Sequence, residues 1–372
     1  MEIKIKKELL KDALQNIISI IDKSSVKPIL SNFLLKSIED HEQYSIEFSA
    51  TDHEISILEY FSAEVIESGS ICISAKKLYD ICKEFQGDII HIKSTEQLWI
   101  HITSDSSELK LPSVEVGLYP QTVIEELPEK LIISSDELKK CIDATLYASQ
   151  TNESRRNLMG VCLSSYNGRT RWLSTDGHRL AQAYGTSQIE NENFSEVIIP
   201  RKALSEVRKA IHLFDESIEI SFDEHTLQFS GKSVVFKTRL IEGKFPNCDP
   251  IIPKDNPLIA IMDRERLVNA LRIVSSITNE KMKPVKFIFG DNKLRIESEK
   301  ADYGEVSDEM DIDYNNESMQ IGFNARYVLD SLNVVQHTQV RIDLKTSMAP
   351  GLIRSPENDD CISVIMPLRI EW

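Results

Sequence analysis

A chain of 372 residues is long enough for two or three domains. Its 41% apolar and 27% charged content excludes disordered and collagen-like chains, and no run of 18 apolar residues marks a transmembrane helix. With 43 Lys and Arg against 59 Asp and Glu the net charge is −16, which excludes a uniformly basic nucleic-acid binder but says nothing about local placement. The opening Met1-Glu2-Ile3-Lys4 alternates and has no apolar core of a secretory signal. Six cysteines without CxxC spacing suit the reduced thiols of a cytoplasm better than disulfides or zinc.

Residues 6–22 read as an amphipathic helix, with Leu9, Leu10, Ala13, Leu14, Ile17, Ile18 and Ile21 at helical spacing. Ile46 and Phe48 alternate as a strand. A second helix, 74–86, starts at Ser74 as a candidate N-cap and carries Leu78, Ile81 and Phe85. Trp99–Ile102 is a strand. The third helix, 136–149, repeats the first: Leu138, Cys141 and Ile142 match Leu10, Ala13 and Leu14. Asn167-Gly168 marks a turn, and Pro200 opens a fourth helix, 200–212, with Leu204, Val207 and Ile211. Strand Ile218–Phe222 ends at the turn Asp223-Glu224. Leu267, Ala270 and Leu271 repeat the pattern in a fifth helix, 263–277. Val285–Phe289 reads as a strand before Gly290-Asp291-Asn292. The sixth helix, 324–336, has Asn324 as N-cap and Val328, Leu332 and Val335 inward, and strand Val340–Leu344 follows.

The first helix pattern thus recurs at offsets of 128 and 129, and the second at 126 and 124. The segments "GLYP" (117–120) and "GKFP" (243–246) echo each other as well. A period near 125 residues is too long for a solenoid. It implies an α+β fold of three tandem domains, 1–125, 126–253 and 254–372, and the absence of a Gly/Ser-rich or Pro-rich linker implies rigid docking.

Charge is unevenly placed. The six helical segments sum to +4 and the remainder to −20. Lys76, Lys77, Lys83, Arg201, Lys202, Arg208 and Lys209 carry most of the helical excess. A solvated helix face is one reading; the other is a weakly basic surface that holds a polyanion through phosphates without choosing a sequence. Helices pack roughly 8–10 Å apart, so a ring lined by six leaves a hole of only about 7 Å, while twelve leave about 25 Å, enough for duplex DNA. Three domains with two helices each therefore need a second chain, which a closed head-to-tail dimer supplies.

Several segments carry a resemblance that spans the whole length: "KPILSNFLL" (27–35), "FSATDHEI" (48–55), "LMGV…LSTDGHRLA" (158–181), "VIIPRKAL" (197–204), "GKFPNCDPIIP" (243–253), "SSITNEK" (275–281), "IGFNARYVLDSL" (321–332) and "VIMPLRI" (364–370). With these the chain resembles the bacterial β sliding clamp family, the processivity subunits of replicative DNA polymerase. The resemblance implies a homodimeric ring of six domains, with helices lining the hole and sheets outside. It implies no catalysis, cofactor or metal. It also implies opening by an ATP-driven clamp loader, encirclement of double-stranded DNA without sequence preference, tethering of replicative and repair polymerases through short linear peptides, and no membrane partner.

By match to family positions, the DNA-facing residues are Lys11, Gln15, Lys23, Lys27, Lys76, Asn152, Arg201 and Lys202. The partner groove between the second and third domains comprises Arg155, Leu158, Thr175, Gly177, His178, Arg179, Leu180, Pro246, Ile251, Asn324, Tyr327, Met348, Pro350, Val364, Ile365, Met366, Pro367, Leu368 and Arg369. Leu180, Pro246, Val364, Met366 and Leu368 suit an apolar wall, and Arg155 and Arg179 its flanks; methionine suits a surface that accepts several partners. The dimer contact matches Leu109 and Leu111 against Ile277, and the alternation "LKL" suits an edge strand.

The chain departs from the family at Ser24, where an Arg is frequent and Lys23 and Lys27 stand nearby. It departs again at Cys248, at Pro250, and in Glu371-Trp372 after the last motif. Two other function classes compete with the clamp. A three-domain interaction scaffold that never encircles DNA shares the repeat. A hydrolase centred on Ser174, Asp176 and His178 lacks a nucleophile elbow. Asp52/His53 and Asp176/His178 read instead as structural hydrogen-bonding positions repeated in two domains.

Overall fold

The computed structural model describes residues 1–21, 27–38, 45–152, 155–189, 194–276, 283–298 and 304–369. Lys23, Ile277, Glu371 and Trp372 lie outside the described residues. All six expected helices form: α1 (Lys7–Ile18), α2 (Ala75–Cys82), α3 (Ser135–Thr145), α4 (Arg201–Lys209), α5 (Arg264–Val274) and α6 (Ala325–Val334). Each buries one stripe. Leu10, Ala13 and Leu14, their matches Leu138, Cys141 and Ile142, and Leu267, Ala270 and Leu271 are all buried, which is the physical content of the repeat. Asp263 and Asn324 cap α5 and α6, each accepting a backbone N–H, from Arg266 at 2.7 Å and from Arg326 at 3.0 Å. Ser74 occupies the N-cap position of α2 without a side-chain capping bond.

The described strand pairs are antiparallel and form four sheets. One eight-stranded sheet runs Glu129–Ser134, Ser217–Phe222, Thr226–Ser230, Val234–Arg239, Ile55–Phe61, Ile46–Thr51, Asn32–Ser37 and Ser70–Ser74. A second runs Val197–Pro200, Gly160–Tyr166, Arg169–Thr175, Arg179–Gln188, Cys361–Ile365, Gly351–Arg354, Gln339–Leu344 and Leu258–Asp263. A five-stranded sheet contains Glu64–Glu67, Glu2–Lys6, Ile89–Thr95, Trp99–Ser104 and Ser107–Pro112, and a four-stranded sheet Ser307–Asp311, Lys293–Ser298, Pro284–Gly290 and Met319–Asn324.

Each eight-stranded sheet joins two successive thirds of the chain. The first seam pairs Ile55–Phe61 with Val234–Arg239, Ile57 opposite Phe236. The second pairs Arg179–Gln188 with Cys361–Ile365, Leu180 opposite Val364. In both, the third strand of one domain's half-sheet meets the last strand of the next domain. Backbone hydrogen bonds cross the seams, and the chain forms two compact units, Met1–Asp136 with Lys202–Leu240, and Glu137–Arg201 with Ile241–Trp372. Among the described residues no helix is long and apolar enough to cross a membrane. The six cysteines are free, and only Cys361 is not fully buried.

Candidate functional site

The two Thr-Asp motifs build the same turn. Thr51 Oγ1 accepts His53 N–H at 3.1 Å and donates to Ile55 O at 2.9 Å, while Asp52 Oδ1 accepts Glu54 and Ile55 N–H at 2.9 and 2.8 Å. Thr175 Oγ1 accepts Gly177 N–H at 3.1 Å and donates to Arg179 O at 2.6 Å; Asp176 Oδ1 accepts His178 and Arg179 N–H at 2.9 and 3.0 Å. The aspartates are structural in both, as expected from the sequence. The correspondence needs one correction: His53 matches Gly177, not His178, because the residue after the aspartate takes a left-handed φ, +77° and +89°.

In the second unit this turn delivers Leu180 to the sheet face away from α5 and α6. Leu158, Leu180 and Val364 pack there with Cys162, Leu173, Ile198, Phe245, Cys248, Leu352 and Ile362. The segment after Leu240 is pinned against this cluster. Ile241 N–H donates to Ile198 O at 2.9 Å, Asn157 Nδ2 to Lys244 O at 3.1 Å, and Arg171 Nη2 to Asp249 Oδ1 at 2.6 Å. Cys248 sits beneath Pro246, its thiol 3.3 Å from the Pro246 carbonyl and pushed up to about 11 by burial. The end of the chain forms a strap: Met366 N–H donates to His178 O at 2.9 Å and Leu368 N–H to Gly322 O at 2.8 Å, leaving Met366 41% exposed. Gly351 pairs with Ile365, which sets Pro350 beside Met366. Arg155, Gly177, His178, Pro246, Ile251 and Met348 are exposed around this surface, and Tyr327, Pro350, Pro367 and Leu368 are half-buried.

Three residues expected on it are buried or engaged within the fold. Ile365 follows Val364 onto the opposite face and packs in the core with Phe287 and Leu332. Asn324 is buried as the α6 cap. Arg179, expected at the flank, points inward: it donates to Asp176 at 3.0 Å, Asp330 at 2.6 Å and the Tyr147 carbonyl at 2.6 Å, and lies 4.3 Å over the Tyr327 ring. Phe245, Cys162, Leu173, Leu352 and Ile362 were not anticipated. Ile362 was legible as the alternation partner of Val364; Leu352 was not, because the register that sets it opposite Val364 is a long-range property.

The expected DNA-facing residues differ in exposure and in their partners; Lys27 Nζ lies 3.5 Å from His53 Nε2, and Gln15 Oε1 accepts Tyr79 O–H at 3.5 Å. Gln15, Lys27, Lys76 and Asn152 are exposed. Lys11 pairs with Glu8, and Lys202 with Asp52. Arg201 is engaged: its Nη1 donates to Leu146 O at 2.5 Å and Ser149 Oγ at 2.8 Å, and burial lowers the guanidinium pKa. Leu109 and Leu111 lie on Ser107–Pro112, the outermost strand of its sheet, with Leu111 buried within its own unit and Leu109 half-buried. Among the described residues no cluster of His, Cys, Asp and Glu is arranged to hold a metal ion.

Sequence models of the DNA polymerase III beta subunit match the chain three times in tandem: the N-terminal domain over residues 1–123, the central domain over 132–247 and the C-terminal domain over 249–369. The beta sliding clamp of Pseudomonas putida is 30% identical over 374 residues, covering all of both chains. A crystal structure of a sliding clamp from Bartonella birtlesii bound to griselimycin is 29% identical with a TM-score of 0.94. That of the Bacillus subtilis sliding clamp is 26% identical with a TM-score of 0.94. Each covers the whole of both chains.

Proposed function

Because the chain belongs to the DNA polymerase III beta subunit family, we propose that it is a sliding clamp: a non-catalytic, cytoplasmic processivity subunit that closes around duplex DNA and tethers polymerases. The carrying observation is the repeated seam. Twice within the chain, the third strand of one half-sheet pairs with the last strand of the next domain. The same rule applied once more leaves two edge strands unused, Ser307–Asp311 in the last third and Ser107–Pro112 in the first. A second copy offers the complementary edges. Head-to-tail pairing then makes two further seams and closes six domains, 1–125, 126–253 and 254–372 of each chain. Closure also covers edges that are otherwise templates for aggregation.

Helices and the loops beside them supply the weakly basic lining, with Gln15, Lys76 and Lys202 on helices and Lys27 and Asn152 on loops toward the phosphates, and Arg201 acting behind them as a support. A weak excess of positive charge suits sliding, since phosphate contacts are independent of sequence and equivalent along the duplex. The cluster of Leu158, Leu180 and Val364 beneath Met366 receives short partner peptides, and griselimycin, which relatives bind, competes for it.

The closure is tested at Leu109. Leu109→Glu places a charge on the half-buried side of this edge strand, and we expect sedimentation to show a monomer that keeps wild-type far-UV circular dichroism. A variant that stays dimeric with wild-type affinity contradicts this seam.

A further inference from the structure

On the sheet face that carries the groove cluster, a concavity of about 750 Å³ lies between the strands and the segment 252–257. Its floor is aliphatic: Ile252, Leu352 and Ile362. Its wall is fixed by Asn256, whose Nδ2 donates to Asp343 O at 2.9 Å and Pro350 O at 3.4 Å.

The rim is cationic and preorganised. Asp343, 2% exposed, accepts Arg341 Nε at 2.6 Å on one oxygen. On the other it accepts Arg354 Nε and Nη2 at 3.0 and 2.6 Å. Arg354 also pairs with Asp359. Arg341 is thereby held in place while both of its terminal amino groups have no protein acceptor among the described residues. Lys345, one residue past the end of the strand that carries Arg341, and Lys254, on the segment 252–257, also line the cavity; both are exposed. Asp343 and Asp359 are matched by the two arginines, which leaves Lys254 and Lys345 against Asp255, a local cationic excess on a chain of net charge −16.

We propose that this cavity docks an acidic peptide segment of a protein partner, with an aliphatic side chain on Ile252, Leu352 and Ile362 and a carboxylate on the open fork of Arg341 beside Lys345 and Lys254. A guanidinium anchored through Nε presents its two remaining donors in the geometry a carboxylate accepts. A nucleic-acid strand fits less well: its charge repeats at every unit, and three aspartates line the cavity. The site goes beyond the peptide groove: it shares Leu352 and Ile362 with the groove cluster but uses none of Leu158, Leu180, Val364 or Met366.

The test is fluorescence anisotropy on the full chain at about 50 mM salt, where surface charge is weakly screened. The probes are labelled Leu-Leu-Glu-Glu-Glu and its counterpart Leu-Leu-Gln-Gln-Gln. The glutamate peptide is expected to bind at least fivefold tighter, with a preference that shrinks as salt rises. Arg341→Ala should remove that preference. So should Lys254→Glu with Lys345→Glu, a pair at exposed positions that leaves the Asp343 cluster intact. Met366→Glu should leave it unchanged. Equal binding of the two peptides, binding of neither, persistence of the preference in both cavity variants, its loss in Met366→Glu, or tighter binding of a single-stranded dT oligonucleotide overturns the proposal.

Discussion

His53 and Gly177 occupy the same backbone position in two copies of one turn, at φ +77° and +89°. A left-handed backbone costs a residue with a Cβ roughly 1–2 kcal/mol, and a glycine nothing beyond its greater freedom when unfolded. The first copy therefore carries a strain that the second avoids. We expect Gly177→Ala to destabilise by about 1–2 kcal/mol and His53→Gly to change stability by less than about 0.5 kcal/mol, because relief of strain and loss of chain entropy offset each other. Urea unfolding of the two variants checks this asymmetry.

Glu59 makes stability fall with rising pH. It lies on the first seam strand and is 2% exposed; one carboxyl oxygen meets Asn16 Nδ2 at 3.2 Å and the other has no hydrogen-bond partner among the described residues. Burial, with Asp12 nearby, raises its pKa to about 8 from 4.5. The folded chain keeps the proton while the unfolded chain loses it, so this contribution is complete below the unfolded pKa and is lost as pH rises from about 4.5 to about 8. Glu59→Gln removes that slope. The variant should match wild type near pH 5 and exceed it by a few kcal/mol, on the order of 2–4, at pH 8. Melting curves across pH 5–8 show whether the two lines diverge; parallel lines would place the ionised carboxylate in the fold.

Arg179 and Met366 separate folding from binding in one neighbourhood. Arg179→Ala strips the partner from Asp176 and Asp330 and should cost about 3 kcal/mol or more, with a lower melting temperature. Arg179→Lys should not rescue it, since one ammonium cannot span two carboxylates, a carbonyl and a ring. Met366, 41% exposed, makes the opposite case. Met366→Glu should leave the melting temperature within about 1 °C and weaken griselimycin binding at least tenfold, as titration calorimetry reads directly.

The helices were legible because their apolar stripes are local: Leu10, Leu138 and Leu267 announce themselves by spacing and are buried in every copy. The structural role of Asp52 and Asp176 was legible for the same reason, since an aspartate bonding the N–H groups two and three residues on is a short-range motif. The joining of successive domains into continuous sheets was not, because it follows from which strands pair across the seams. Ile57 opposite Phe236 is a contact across 179 residues of chain, and no period in the sequence encodes it. The inward turn of Arg179 was hidden likewise. Its sequence neighbours suggest a rim, and its partners Tyr147, Tyr327 and Asp330 come from elsewhere.

The central claim is that the chain holds DNA by enclosing it. It is tested most directly by loading the protein onto nicked circular DNA with the cognate clamp loader and ATP, isolating the complex, and cutting the circle once. Retention on the circle followed by run-off from the linear product is the expected result, with little sensitivity to salt before the cut. Equal retention on circle and linear DNA, or loss from the circle at the salt concentration that dissociates phosphate contacts, would contradict a topological hold.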